Sequence, residues 1–248
     1  MDLAHESRGE GPPVLLIHGT AGAVWGTLPE ALVRDHRVIV YSRRGFGRSS
    51  GPLGATQAEH ARDAAALLEE LGTGPATIVG WSMGGVIALE LALARPDLVS
   101  SLVLVEPPLH AKKHPSLAFL RAFAKLTLQR RRDERAAAET FLRWATRYRD
   151  GGCGFELAPP EDREAMLANA PAILAELDVG TGENLKLESA GSIRGPVTLV
   201  VGGRSDNVFP RAVARIAKAL PDARVERLPQ AGHGVPIEQP EELAALVP

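Results

Sequence analysis

The sequence predicts an α/β fold in which a mostly parallel central sheet is flanked by helices and interrupted by one helical insertion. The first observation is that short, fully apolar runs alternate with helical patterns over residues 1–108. Central strands of a parallel sheet are apolar on both faces, and such alternation is typical of helical crossovers. The second observation is that the alternation stops at about residue 109 and resumes at about residue 193. We therefore expect a core of residues 1–108 and 193–248 and a helical cap of residues 109–192.

The elements of the core follow from apolar runs and helix-boundary signals. We expect strands at residues 3–7, 14–17, 38–41, 76–79, 102–105, 197–201 and 224–228. We expect helices at residues 24–34, 56–71, 86–94, 210–220 and 238–247. The helix at 56–71 has the clearest ends, because Thr56 and Glu59 form a capping box sequence and Gly72 follows the last turn.

The run from Gly80 to Gly84 reads Gly-Trp-Ser-Met-Gly and lies between a predicted strand and a predicted helix. In that context the pattern indicates a nucleophile elbow, a turn so tight that glycine is needed on both sides of a strained serine. The elbow would lift the Ser82 hydroxyl to a helix N-terminus, where the dipole and free N–H groups favour negative charge. The alternative is a glycine-rich turn whose serine takes no part in chemistry.

Three side chains that together suit nucleophilic catalysis follow three different predicted strands. Ser82, Asp206 and His233 come after the strands at 76–79, 197–201 and 224–228. Parallel strands end at one edge of a sheet, which is where open α/β sheets bind ligands. A serine hydroxyl needs a base such as imidazole, and a carboxylate orients that imidazole. The sequence therefore predicts a Ser-His-Asp triad.

An oxyanion hole would complete this site. Its first donor should be the backbone N–H of Met83, the residue after the nucleophile. The second should be the N–H of Thr20, in the small-residue loop that follows His18 and Gly19. We expect His18 itself to hold this loop rather than to act as a base.

Five segments, in order along the chain, resemble a known family. They are Pro13–Gly19, Tyr41–Ser49, Gly80–Gly85, Gly203–Pro210 and Gly232–His233. The chain resembles the α/β-hydrolase fold family of esterases, lipases and C–C hydrolases. This resemblance implies that Ser82 is the nucleophile, Asp206 the acid and His233 the base, with residues 109–192 as the cap. Such proteins usually carry a further strand at the start, so we expect this chain to begin short.

A second carboxyl group competes for the role of triad acid. Glu106 ends the strand that follows the elbow helix, and some family members resemble a design with the acid there. Otherwise Glu106 would line the pocket or pair with an arginine. Asp206, in turn, could be a loop acid or the N-cap of the helix at Pro210.

Four aromatic side chains are candidates for the substrate pocket, although plain core packing is the more frequent role for each of them. They are Trp25, Phe46, Trp81 and Trp144. Trp81 flanks the nucleophile, as does Met83, whose side chain we expect near the acyl pocket.

Residues 110–150 are basic, with three Lys and eight Arg against four acids. We expect a solvated helical surface with pairs such as Glu139 and Arg143 at i,i+4 spacing. The alternative is that the cap attracts an anionic substrate or an acidic partner. Enzymes resembling pimeloyl carrier-protein methyl ester esterase, which also has a Gly-Trp-Ser elbow, use a basic cap in this way.

Composition excludes several other classes of function. The net charge of −2 predicts no attraction to nucleic acid or to a membrane surface. Cys153 is the only cysteine, so no internal disulfide can form, which fits a reducing cytoplasm. The first eight residues do not resemble a signal peptide, and no apolar run approaches the roughly 20 residues of a membrane span. No metal-ligand spacing emerges, and we expect no cofactor.

The sequence thus predicts a cytoplasmic serine hydrolase acting on a small-molecule carboxylic ester or lactone. C–C bond hydrolysis, acyl transfer and perhydrolysis would use the same triad and remain alternatives. A ligand-binding protein without catalytic activity is a further alternative, although such a protein would usually have lost part of the triad.

Overall fold

The structure is a computed structural model that describes residues 2–113 and 115–248. Its centre is a seven-stranded sheet in the order β1-β3-β2-β4-β5-β6-β7. The strands are β1 His5–Arg8, β2 Pro13–Ile17, β3 Arg37–Tyr41, β4 Ala76–Trp81, β5 Val99–Val105, β6 Val197–Gly202 and β7 Arg224–Leu228. Strand β1 is antiparallel to β3, and all other neighbours are parallel. The predicted sheet is confirmed.

Helices cover both faces of the sheet and fill one long crossover. They are α1 Leu28–Leu32, α2 Gln57–Glu70, α3 Met83–Ala94, α4 Leu117–Arg130, α5 Glu134–Ala145, α6 Gly154–Leu157, α7 Pro160–Ala168, α8 Ala170–Val179, α9 Val208–Ala219, α10 Val235–Glu238 and α11 Pro240–Ala244. Helices α4 to α8 lie between β5 and β6, so the predicted helical insertion between two strands is confirmed. None of the described helices is long and apolar enough to cross a membrane.

The core packs on both faces of the central strands, as their uninterrupted apolar sequences predict. Along β2, Leu15 and Ile17 join a cluster with α2 and α3, whereas Val14 and Leu16 join a cluster with α1 and α11. A third apolar cluster lies under the insertion and includes Phe209 of α9. This third cluster fixes the insertion over the edge of the sheet where the parallel strands end.

Most helix boundaries agree with the predictions, and the exceptions have local causes. The capping box is present, because Thr56 Oγ1 accepts from the Glu59 N–H and the Glu59 carboxylate accepts from the Thr56 N–H. The helix predicted at 24–34 is shorter, since Gly26 has a φ of 56° and α1 begins only at Leu28. The helix predicted at 238–247 is replaced by α10 and α11, which meet at Pro240.

Candidate active site

The predicted elbow lies between β4 and α3, with Ser82 at φ 54° and ψ −121°. This is a strained conformation for a residue with a side chain. Glycines make the turn possible: a Cβ on Gly80 would lie 2.6 Å from the Gly84 carbonyl oxygen, and one on Gly84 would lie 1.8 Å from the Ile17 carbonyl oxygen. The tight backbone therefore requires glycine on both sides of Ser82.

His233 lies beside Ser82, in the loop between β7 and α10. The Ser82 hydroxyl is 2.9 Å from His233 Nε2. The His233 carbonyl accepts a hydrogen bond of 2.8 Å from the Trp81 indole N–H, and Phe209 stacks on the imidazole with ring centroids 3.6 Å apart. The histidine is thus held at its backbone and at one ring face.

The carboxylate that contacts His233 belongs to Glu106, directly after β5. Glu106 Oε2 is 2.8 Å from His233 Nδ1 and also accepts from the Ser205 hydroxyl at 2.8 Å. Glu106 Oε1 accepts from the Gly202 N–H at 2.9 Å. Complete burial raises the pKa of Glu106 above its ordinary value, and the hydrogen bonds from His233, Ser205 and Gly202 act in the opposite direction.

These contacts define the tautomer of the histidine. A carboxylate can only accept, so the bond to Glu106 assigns the hydrogen to Nδ1 of His233. Nε2 is then the acceptor for the Ser82 hydroxyl. The serine hydroxyl therefore faces the unprotonated nitrogen, which is the arrangement that general-base catalysis requires.

Asp206 does not make the predicted contact with His233, and this expectation is corrected. Its Oδ1 accepts from the Val208 N–H at 3.1 Å in the first turn of α9, and its Oδ2 lies 3.8 Å from Nη1 of Arg147. In this loop it is the neighbouring Ser205 that reaches Glu106. Asp206 is therefore a loop acid that precedes Asn207, the N-cap residue of α9, which agrees with the loop-acid alternative for its sequence.

Spacing alone could not separate the two acids. Glu106 follows β5 and Asp206 follows β6, and these strands are adjacent and parallel, so both acids lie at the same edge of the sheet. The available signal was that Glu106 follows its strand without an intervening loop, whereas four residues, 202–205, separate Asp206 from Val201. A residue held by the strand end has a fixed direction, whereas a loop residue can turn toward a helix N-terminus.

The two predicted oxyanion donors lie in segments that flank the serine. Met83 is the first residue of α3. On the other side, a Cβ on Gly19 would lie 2.9 Å from Ser82 Cβ, so the backbone before Thr20 passes directly over the serine. Thr20 lines the cavity around Ser82.

His18 supports that loop. Its Nδ1 is 2.7 Å from the Gly19 carbonyl oxygen, and its Nε2 accepts from the Arg43 N–H at 2.9 Å. Burial and the Arg43 guanidinium hold the pKa of His18 well below its ordinary value. His18 is therefore a neutral imidazole that is fully used in hydrogen bonds, as expected of a structural histidine.

The cavity around Ser82 has two lobes, and the lobes meet at this residue. The lobes enclose about 550 Å³ and about 470 Å³ of space, open mouths included. Both are lined by Thr20, Ser82, Phe141, Ala145 and His233. The first lobe continues between Phe155, Ala158 and Met166, and the second between Phe119, Phe123 and Trp144. Apolar side chains of the insertion therefore form much of both walls.

The candidate pocket aromatics divide into two groups. Trp81 lines the first lobe and Trp144 the second. Trp25 instead packs behind Trp81, with ring centroids 5.9 Å apart, and Phe46 packs against His18 at 5.1 Å. Neither of these two lines a lobe, which agrees with core packing rather than with the pocket-wall alternative.

Part of the basic surface of the insertion is paired within the insertion itself. Arg143 donates to Glu139 at 2.7 Å, which is the predicted i,i+4 pair, and also to Glu156 at 2.6 Å. Arg130 pairs with Asp178 at 2.6 Å, and Arg135 pairs with Glu164. Acids from residues 156–178 thus offset part of the positive charge of 110–150. Within the two described ranges, no group of three or more His, Cys, Asp or Glu side chains could hold a metal ion.

Comparison with known proteins agrees with this fold. Residues 12–240 match the model of the alpha/beta hydrolase fold family. BpoC of Mycobacterium tuberculosis, whose name assigns it provisionally as a non-heme bromoperoxidase, is 34% identical over 257 residues, covering 97% of this chain and 94% of that protein. The pimeloyl-[acyl-carrier protein] methyl ester esterase of Aeromonas hydrophila is 30% identical over 264 residues, covering 100% and 98%.

A solved structure gives the same result. The thermophilic esterase from Thermogutta terrifontis superposes with a TM-score of 0.77 at 28% identity, covering 98% of this chain and 90% of that chain. The chain belongs to the alpha/beta hydrolase fold family. Its relatives differ in the reactions that their names assign, so the reaction of this protein has to be argued from its own site.

Proposed function

We propose that this protein is a serine hydrolase that cleaves a carboxylic ester through an acyl-enzyme. The observation that carries the proposal is one continuous chain of hydrogen bonds, from Ser82 Oγ to His233 Nε2 at 2.9 Å and from His233 Nδ1 to Glu106 Oε2 at 2.8 Å. This is the geometry of an activated nucleophile, its base and the acid that orients the base. Glu106 therefore takes the role that the sequence assigned to Asp206.

In the acylation step, His233 accepts the hydroxyl proton as Ser82 attacks the acyl carbon. The negative charge that develops on the carbonyl oxygen is stabilised by the Thr20 and Met83 N–H groups, the second of which also lies at the N-terminus of α3. The imidazolium then gives its proton to the leaving alcohol, and the acyl group stays on Ser82. Glu106 stabilises the imidazolium without taking its proton.

Deacylation repeats these steps with water as the nucleophile. His233 removes a proton from the water, which attacks the acyl carbon, and then returns the proton to Ser82 as the acid leaves. Microscopic reversibility makes the same base and the same oxyanion donors serve both halves of the reaction. The cycle consumes one ester and one water and needs no further reactant.

The two apolar lobes support an ester whose acyl and alcohol groups are both apolar. Each charged side chain described in the lobe walls is already bonded to the protein: Lys112 to the Leu177 carbonyl, Glu238 to the Gly232 N–H and Glu176 to Arg43. Two of these three charged groups are carboxylates, and the cation Lys112 is exposed at the wall of the second lobe. The predominantly apolar lining of both lobes favours an uncharged substrate, and the same chemistry would open an apolar lactone.

Other reactions of the same triad have less support. Hydrolysis of a C–C bond in a vinylogous diketone would use the same triad and oxyanion donors, and no feature of the lobes favours that substrate over an ester. Acyl transfer and perhydrolysis differ from hydrolysis only in what enters after the acyl-enzyme has formed. A binding protein without activity would not need the serine and the imidazole to be aligned.

Serine-directed labelling tests the proposal. We expect a fluorophosphonate to modify the wild-type protein at Ser82 and to abolish hydrolysis of a short activated ester. Ser82→Ala should remain folded, lose the label and lose turnover by a factor of about 10⁶. Ser100→Ala, at an exposed serine of β5, is the matched control and should keep both. Turnover by Ser82→Ala at the wild-type rate would refute the mechanism.

A further inference from the structure

A buried ion pair connects the insertion to the loop after β3. The Arg43 guanidinium is fully buried, and its partner is the Glu176 side chain of α8, which is only 3% exposed. Nη1 of Arg43 donates to Glu176 Oε1, and Nη2 is 3.2 Å from Glu176 Oε2. Two parallel bonds of this kind fix a guanidinium and a carboxylate in one plane. Helix α8 is thereby tied to the loop after β3.

The same guanidinium also holds the peptide group that joins Gly19 to Thr20. Nη2 of Arg43 donates to the Gly19 carbonyl oxygen at 3.0 Å, and Nδ1 of His18 donates to the same oxygen at 2.7 Å. In a trans peptide, the carbonyl and the N–H point in opposite directions. Donors that fix the Gly19 carbonyl therefore also fix the direction of the Thr20 N–H.

Accepting these bonds also strengthens the N–H as a donor. A carbonyl that accepts hydrogen bonds polarises its peptide group, and a charged donor in a buried setting does so most strongly. The Arg43 side chain is further confined by Phe46, whose ring centroid lies 4.5 Å from the guanidinium carbon. Phe46, one of the candidates for the pocket wall, instead packs on this arginine.

We propose that Arg43 and Glu176 are positioning residues that hold the Thr20 N–H in the oxyanion hole and make its direction depend on the docked insertion. Neither side chain contacts the reacting atoms. The inference rests on the proposed esterase activity, because it assigns Thr20 to the oxyanion of that reaction. Glu176 also lines the second lobe, so the wall of the substrate cavity and the oxyanion loop share one ion pair.

A purely structural role would predict a different response to substitution. Removing one member of a buried ion pair leaves an unpaired charge, which destabilises a fold, whereas replacing both members with apolar side chains is often tolerated. The double variant Arg43→Met/Glu176→Leu should therefore stay folded, with a Tm close to that of the wild type. If the pair served stability alone, the double variant would have the kcat of the wild type as well as its Tm.

We expect the double variant to lose kcat while KM for a short activated ester changes little. The loss should be roughly tenfold to a hundredfold, below the 10²–10³ for removal of an oxyanion donor itself, because the Thr20 N–H is still present but poorly directed. Affinity for a trifluoromethyl ketone, which forms an oxyanion on Ser82, should fall by the same factor. The corresponding alcohol forms no oxyanion, so its affinity should be unchanged. A change in its affinity would show that the substitutions had altered the lobe itself.

The matched control is Asp178→Asn, which breaks the exposed pair of Arg130 with the same helix α8. This variant should keep the wild-type kcat. If the double variant does not fold, it is replaced by Glu176→Gln, which keeps the shape of the side chain and one acceptor. For that variant, a loss of kcat of about threefold or more at constant KM supports the inference. A folded variant with wild-type kcat and wild-type ketone affinity would overturn it. Absence of any ester turnover in the wild type would instead refute the proposed function.

Discussion

Glu106 is a single residue whose surroundings are arranged around its charge. The Gly202 N–H, the Ser205 hydroxyl and His233 Nδ1 all donate to its carboxylate, although burial alone would favour the neutral acid. A buried carboxylate with such donors can stabilise an imidazolium more strongly than a solvated one, because water does not screen the pair. Glu106 also has a φ of 45°, so its backbone is strained at the point where the side chain turns toward the histidine.

His60 gives the protein a measurable dependence of stability on pH. It lies in α2, and burial, followed by the charges of Arg43, His18 and Arg44, lowers its pKa from 6.5 to about 2. Glu176 is the carboxylate that faces it, at 4.0 Å. As the pH is lowered, His60 becomes protonated at a higher pH in the unfolded chain than in the folded chain. The free energy of unfolding is therefore highest above about pH 6.5 and falls as the pH is lowered toward the folded-state pKa.

The prediction compares the wild type with His60→Leu, which removes this titration. Between about pH 7 and about pH 5, the free energy of unfolding of the wild type should fall by about 2 kcal/mol more than that of the variant. Urea unfolding at the two pH values measures both. The control is His5→Leu, at an exposed histidine. Between the two pH values, its free energy of unfolding should fall by as much as that of the wild type. Equal losses in wild type and His60→Leu would contradict the assignment of a neutral, buried His60.

At the scale of elements, the elbow depends on backbone contact between β2 and α3. A Cβ on Gly84 would meet the Ile17 carbonyl carbon at 2.6 Å as well as its oxygen. Because both contacts are to main-chain atoms, no side-chain rotation can relieve them. The glycine at this position therefore allows the helix to begin close enough to the sheet for Ser82 to reach His233.

Gly84→Ala should accordingly destabilise the protein by about 3 kcal/mol or more, since neither backbone can move freely. Gly191→Ala is the matched control, because a Cβ at that exposed glycine meets nothing within 4 Å, and its stability should change by less than about 0.5 kcal/mol. Thermal unfolding of the two variants tests this. A Gly84→Ala protein as stable as the wild type would show that the elbow is looser than the structure indicates.

The elements that sequence patterns predicted well are those fixed by local chemistry. Apolar runs specified the strands, and the capping box specified the start of α2. The elbow glycines specified the position of Ser82 in the same way. The choice between Glu106 and Asp206, by contrast, depends on which side chain a tertiary contact turns toward His233. The positions of Trp25 and Phe46 also depend on tertiary packing, and the periodicity of apolar residues in the sequence does not specify which side chains they pack against.

At the scale of the whole molecule, the insertion converts an open sheet edge into a cavity with two lobes. Its helices supply Phe141 and Ala145 to both lobes, so one face of α5 lies across the serine. Sheet and insertion are joined by apolar packing around Phe209 and by the buried pair of Arg43 and Glu176. Substrate selectivity should therefore reside in the insertion, and catalysis in the ends of the strands.

Two substitutions that each narrow one lobe test this division. Ala158 lines only the first lobe and Ala111 only the second. Ala158→Phe should reduce kcat/KM for long chains on one side of the ester bond, and Ala111→Phe for long chains on the other side, by roughly tenfold to a hundredfold each. Activity toward the shortest esters should be retained. If both variants discriminate against the same side of the ester, the two lobes do not hold the two halves of the substrate.

The central claim is that Glu106, and not Asp206, is the acid that orients His233. It is tested most directly by measuring kcat for an activated ester with Glu106→Gln and Asp206→Asn side by side, with the folded state of each confirmed by its Tm. An amide at position 106 would favour the wrong tautomer of the histidine, so kcat should fall by about 10³–10⁴, whereas Asp206→Asn should stay within about threefold of the wild type. The reverse ranking, with Asp206→Asn inactive and Glu106→Gln active, would contradict the account.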